Sequence, residues 1–183
     1  MARWAAISGA RGTGKSTHAS QVVDILRSRG VRVGGFLQKA VTDELGRRSY
    51  DLHRLSTGEI LPLARPTTGE EVPGRTTFCS FAFVDDAFVT ARDWLVQERG
   101  NCPVVVIDEV SKLEVAGQGH HDAIVQALSA EDDTVVVLCA RADQLFYVVE
   151  RFGLEDDAVA VLEVPGSEED LRAFAEALVA ARC

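Results

Sequence analysis

Residues Ala5 to Ser20 read AAISGARGTGKSTHAS. A short apolar run leads into Gly9, the spacing GxxxxGK[ST] spans Gly9 to Ser16, and a helical pattern follows. In the order strand, glycine-rich turn, helix, the backbone N–H groups of Gly9, Ala10, Arg11, Gly12, Thr13 and Gly14 converge on one point. The positive end of the helix dipole reinforces them there. The stretch therefore predicts a phosphate-binding loop (Walker A). Lys15 should reach the β and γ phosphates of a nucleotide as a catalytic charge, the Ser16 hydroxyl should ligate Mg2+, and Thr17 is placed to add one more donor.

Such a loop needs a carboxylate at the end of a neighbouring strand. Val104 to Glu109 reads VVVIDE, whose four apolar residues without polar alternation mark a strand covered on both faces. Asp108 closes that strand as the expected metal ligand (Walker B). Glu109 follows it, and a second carboxylate there can accept a proton from a water aligned with the γ phosphate, which is general-base work. The single asparagine, Asn101, precedes Cys102 and Pro103, so a guanine-reading NKxD motif is absent and a regulatory GTPase is a poor reading.

Outward from this pair, β-branched runs alternate with amphipathic segments. Trp4 to Ser8, Val31 to Phe36, Pro103 to Ile107, Thr134 to Cys139 and Ala158 to Val164 read as strands. Helices are expected at Lys15 to Arg29, with Gly30 as its cap, at about Asp85 to Arg99, Asp122 to Ala130 and Asp143 to Phe152, and from Ser167 onward. Ser167 can cap that last helix while Glu168, Glu169 and Asp170 favour its positive end. Residues 42–77 break the rhythm. Asp43-Glu44-Leu45-Gly46 signals a hairpin between Phe36–Val41 and Arg48–His53, and Pro62, Pro66 and Pro73 suggest a loop after it. The expectation is one α/β domain over residues 1–183, a mainly parallel sheet between helices, with a hairpin insertion where specificity usually lies.

Composition narrows the partners. The chain has 183 residues, 46% hydrophobic and 26% charged, enough for one core. Lys and Arg number 19 against 28 Asp and Glu, a net charge of −9 with acidic runs at Glu131-Asp132-Asp133 and Glu155-Asp156-Asp157. That balance argues against general binding to nucleic acid or to an anionic membrane, because both need a basic face. Cys79, Cys102, Cys139 and Cys183 have no metal-ligand spacing and read as reduced thiols. With no apolar run long enough for a signal peptide or a membrane span, a cytoplasmic location is expected.

With these residues in view, the chain resembles the nucleoside-triphosphatase family of archaea and bacteria that has a cancer-related human member. The likeness rests on the loop and, more specifically, on VGGFLQKAV (Val33 to Val41), GRRSYDL (Gly46 to Leu52) and VVVIDEVSKLE (Val104 to Glu114). The family pattern is close to GFYTEEV, GRRxGFD and VIDEIGxME. The resemblance implies a RecA-like three-layer α/β/α P-loop NTPase that hydrolyses several nucleoside triphosphates with magnesium. It places Lys15 and Ser16 in the phosphate loop, and Asp108 and Glu109 at the magnesium and water sites. Lys39 stands where the family usually carries an acidic residue, Ser49 and Ser111 replace glycines, and Val164-Pro165-Gly166 occupies the region of the family's base contacts.

The substrate expected is therefore a nucleoside triphosphate, ATP, GTP or others, with water as acceptor. Two alternatives stay open: a small-molecule or nucleotide kinase using residues 42–77 for its acceptor, and a nucleotide-switched module read by a protein partner. Arg141 can neutralise γ-phosphate charge or simply cap a helix. Arg47, Arg48 and Lys112 have no assigned role. His120-His121-Asp122 resembles a metal cluster, but neighbouring residues at a helix start diverge. Trp94 reads as core.

Overall fold

The structure, a computed structural model, describes residues 2–129, 133–154 and 158–181. Cys183 and the acidic residues Glu131, Asp132, Glu155, Asp156 and Asp157 lie outside them. The strands are β1 (Arg3–Gly9), β2 (Val33–Thr42), β3 (Arg48–Arg54), β4 (Ile60–Pro66), β5 (Arg75–Phe78), β6 (Phe81–Val84), β7 (Val104–Val110), β8 (Val135–Arg141) and β9 (Val161–Glu163). The helices are α1 (Lys15–Ser28), α2 (Asp85–Glu98), α3 (Lys112–Val115), α4 (His121–Leu128), α5 (Leu145–Phe152) and α6 (Glu168–Ala180).

Among the described residues the strands form one sheet in the order β5-β6-β4-β3-β2-β7-β8-β1-β9. From β2 to β9 neighbours run parallel, and from β2 out to β5 they run antiparallel. The apolar runs in β7 and β8 are buried throughout, as strands between two helical layers must be. Ala19, Val22, Val23 and Leu26 of α1 pack with Leu171, Phe174 and Leu178 of α6 on one face. Ala87, Ala91 and Trp94 of α2, Ile124 of α4 and Val148 of α5 cover the other. Local signals held at the helix ends: Ser167 N–H donates to Asp170 Oδ2 at 2.8 Å and Asp170 N–H returns a bond to Ser167 Oγ at 3.2 Å. No helix among the described residues is long and apolar enough to cross a membrane.

The hairpin β2–β3 forms as expected, but the proline-rich stretch after it is not a loop. It supplies β4 and β5, and with β6 it extends the sheet by an antiparallel half. Prolines are admitted because the pairing is irregular: Asp51 faces Pro62 and Tyr50 faces Ala64, so Leu63 is an extra residue, and it is fully buried. Pro66 ends its strand opposite Phe81, and Pro73 lies between strands. The strand expected at Ala158 to Val164 is regular over Val161–Glu163, while Val159 N–H and Val164 N–H also donate to the Trp4 and Ser8 carbonyls of β1.

The two halves of the sheet meet at β2, and a buried carboxylate holds them there. Glu98, 3% exposed at the end of α2, accepts from Gly35 N–H at 2.6 Å and Arg54 Nε at 2.8 Å, and from the Ser56 hydroxyl. Gly35 has φ 87, and a Cβ there would sit 2.0 Å from the Val106 carbonyl oxygen on β7, so only glycine fits. The Arg54 guanidinium also lies 5.5 Å from the Trp94 ring centre, which places Trp94 in the core as the sequence suggested. Glu98→Ala would leave the Arg54 charge and the Gly35 N–H without their acceptor. The expected loss is about 3 kcal/mol in urea denaturation, with Arg54 the residue whose surroundings change.

Candidate active site

Gly9 closes β1, Ala10 to Gly14 form the turn, and Lys15 to Thr17 open α1, as their spacing demands. Gly14 caps α1 in the left-handed region at φ 85, so the first free N–H groups of the helix face outward together. Lys15 is 7% exposed and its Nζ donates to the Ala10 carbonyl at 3.2 Å, across the mouth of the loop. His18, which the sequence reading passed over, fixes the loop to the other end of the chain. Gly166 N–H donates to His18 Nε2 at 3.3 Å, which leaves Nδ1 as the donor to the Gly14 carbonyl at 2.8 Å. A histidine one turn into the helix after such a loop was the available sequence signal.

Asp108 is fully buried at the end of β7. Its Oδ2 accepts from Gln38 N–H at 3.0 Å and its Oδ1 accepts from Glu109 N–H at 2.9 Å. Burial pushes its carboxyl up to about 6, against the lowering effect of the nearby Ser16 hydroxyl. The pairing of β7 with β8 becomes irregular between Ile107 and Val110, so strict strand alternation does not apply to Asp108 and Glu109. Glu109 takes φ 63 and lines the same cavity as Lys15 and Ser16. A non-glycine residue held in that region stores strain.

The cavity has a volume of about 780 Å³ and brings the loop and Glu109 together with Lys39, Arg48 and Arg141. Arg141 is held by Asp143 through bonds of 2.7 and 3.1 Å, while Arg47 pairs with Asp43 inside the hairpin turn. The two adjacent histidines diverge. His121 Nδ1 donates to the Glu114 carbonyl at 3.0 Å, whereas the His120 ring lies 4.6 Å from Phe36 and 4.8 Å from Phe88. No group of three or more His, Cys, Asp or Glu among the described residues is arranged to hold a metal, and Cys79, Cys102 and Cys139 are free. Glu114 is buried, accepts from Ser111 N–H at 3.0 Å and His120 N–H at 3.1 Å, and is pushed up to about 7 by burial.

Two outcomes follow from this geometry. Glu109→Gly should relieve the left-handed strain and raise stability by about 1 kcal/mol in chemical denaturation, while removing the carboxylate. Burial lowers His120 to about 3 from the ordinary histidine value of 6.5, so above 6.5 it is neutral whether folded or unfolded. As pH falls below 6.5 the unfolded chain takes up a proton that the folded chain refuses. Stability then drops by up to about 1.4 kcal/mol per pH unit. Glu114, raised by burial, works in the opposite sense between 4.5 and about 7 in wild type and variant alike. Denaturation at pH 7 and at pH 4.5 should therefore show that His120→Phe loses less stability on acidification than wild type.

Most of the chain is similar to known proteins. The sequence profile of the family described as NTPase matches residues 5–171. The cancer-related nucleoside-triphosphatase homolog of Bos taurus is 31% identical over 143 residues, 74% of either chain. The nucleoside-triphosphatase THEP1 of Methanocaldococcus jannaschii is 22% identical over 72% of this chain and 75% of its own. The solution structure of a human cancer-related nucleoside triphosphatase superposes with a TM-score of 0.70 at 26% identity, covering 97% of this chain and 96% of that one.

Proposed function

Because the chain belongs to this nucleoside-triphosphatase family, we propose that it hydrolyses nucleoside triphosphates to diphosphate and phosphate, in a magnesium-dependent reaction that tolerates different bases. The observation that carries this reading is that Lys15 and Ser16 of the loop and Glu109 of β7 line one cavity, with the buried Asp108 close behind Ser16.

In this reading the N–H groups of Gly9 to Gly14 and the N-terminus of α1 bind the phosphate chain, and Lys15 leaves the Ala10 carbonyl for the β and γ oxygens. Glu109 orients the attacking water and takes its proton, and the fixed positive groups stabilise charge as the terminal phosphoryl moves. Asp108 holds the Ser16 hydroxyl in place. A hydroxyl and a carboxylate are hard oxygen donors, the set that magnesium shares with phosphate oxygens and waters in sites of this type, so the absence of a three-carboxylate cluster is no obstacle. When bound, magnesium neutralises charge on the β and γ oxygens. Base tolerance is supported by a grip made largely of backbone N–H groups.

The test is phosphate release by the purified chain from ATP, GTP, CTP and UTP under one set of conditions, with no other acceptor present. Lys15→Ala should lower turnover at least about 100-fold. Glu109→Gln should still bind nucleotide while releasing far less phosphate, and Asp108→Asn should weaken the dependence on magnesium. A base preference above about 1000-fold, roughly 4 kcal/mol, would contradict broad tolerance. Release only after a small-molecule acceptor is added would overturn water as the receiver.

A further inference from the structure

The cavity that contains the phosphate loop does not stop at Glu109. It runs on beneath the antiparallel half of the sheet, where Tyr50 of β3, Phe81 and Phe83 of β6, Phe88 of α2 and His120 wall it. These rings pack on one another: Tyr50 meets Phe81 edge-on at 5.2 Å and Phe83 stacks on Phe88 at 5.9 Å. His120 is 2% exposed, and neither Nδ1 nor Nε2 has a hydrogen-bond partner. A buried imidazole with both nitrogens unmatched costs about 1–3 kcal/mol for each, and a group left in that state calls for an explanation. Its own backbone N–H is occupied by Glu114, so the ring nitrogens are what remain for a ligand.

We propose that this aromatic chamber binds a second small molecule beside the nucleotide: a neutral, hydroxylated aromatic or heteroaromatic of one or two rings, hydrogen-bonded to the His120 ring. Flat faces of Tyr and Phe select a flat ring through stacked and edge-on contacts. A neutral imidazole among apolar side chains matches a hydroxyl or amide, since it brings no charge of its own to pair with an ion. The carboxylate of Glu114 on the backbone side of His120 adds a reason against an anion. A volume of about 780 Å³ shared with the phosphate loop is within the range of sites that enclose a small molecule. The basic residues of the cavity, Lys39, Arg48 and Arg141, line it together with the loop and Glu109. The site goes beyond hydrolysis and does not depend on it.

The experiment uses the full chain with isotope-labelled histidine, free of nucleotide and magnesium, titrated with adenosine and separately with pyridoxine as neutral hydroxylated heteroaromatic probes. At least one probe should shift the His120 ring nitrogen signals saturably with a Kd below about 1 mM. His120→Phe, which keeps a flat ring in the same packing, should weaken that probe at least about 10-fold, or roughly 1.4 kcal/mol. His120→Gln keeps a donor and an acceptor and should restore most of the affinity. The inference is overturned if neither probe moves the His120 signals up to about 5 mM, a concentration well above the expected Kd. It is equally overturned if a probe binds while those signals stay still, or if His120→Phe binds as tightly as wild type. Since no triphosphate is present, these outcomes are independent of whether the chain hydrolyses one.

Discussion

The fully buried carboxylate of Asp108 is the point at which the elements of this fold are tied together. Strand β7 carries it, β2 donates to it through Gln38, β7 itself donates through the Glu109 N–H, and α1 sets the Ser16 hydroxyl beside it. Burying a carboxylate is unfavourable by itself, which is why its affinity for a proton rises, and several convergent donors are what make the position tenable. The same contacts set the first turn of the phosphate-loop helix against the end of β7. The phosphate loop and Glu109 are therefore linked through one side chain, and neither is positioned independently of the other.

Glu98 does comparable work on the opposite side of the sheet, where β2 changes from parallel to antiparallel partners. Its acceptors are satisfied from Gly35, Arg54 and Ser56, which come from the two strands of the hairpin and the turn after it. Both carboxylates thus hold β2, one by Gln38 and one by Gly35. A strand pinned at two points can carry an extension, and the extension is what roofs the aromatic chamber. The irregular pairing at Leu63 serves the same end, since it turns a fully buried side chain inward while accommodating Pro62.

The loop end of α1 and the C-terminal segment are coupled as well. His18 bonds to Gly14 and Gly166, and a Cβ on Gly9 would meet Val164 Cγ2 at 2.3 Å, so the phosphate loop and the start of the segment after β9 are in close contact. Substituents in the Val164-Pro165-Gly166 segment can thus affect the phosphate site through packing alone. That coupling gives the segment a structural role alongside any contact with a base.

What the sequence by itself determined was local. The glycine spacing from Gly9 to Gly14, the unbroken apolar run before Asp108, and the cap at Ser167 each act within a few residues, because turn dihedrals, strand burial and helix capping are short-range effects. From these came the loop, the two-layered cover of the parallel strands and the position of the carboxylate pair. Tertiary structure decided what depends on partners far away in the chain. Pro62 reads as a loop signal until an opposing strand admits it through a bulge, and Pro66 until it ends a strand opposite Phe81. Glu98 carries no signal of its own within the expected helix at Asp85 to Arg99, and it becomes a tie of the fold when Arg54, 44 positions earlier, reaches it. His120 reads as half of a metal-like pair until Phe36 and Phe88 enclose its ring, and Glu109 reads as a strand end until the break with β8 turns its backbone into the left-handed region. Desolvation, close approach and ring packing arise only once distant segments meet, which is why the loop was legible and the chamber beside it was not.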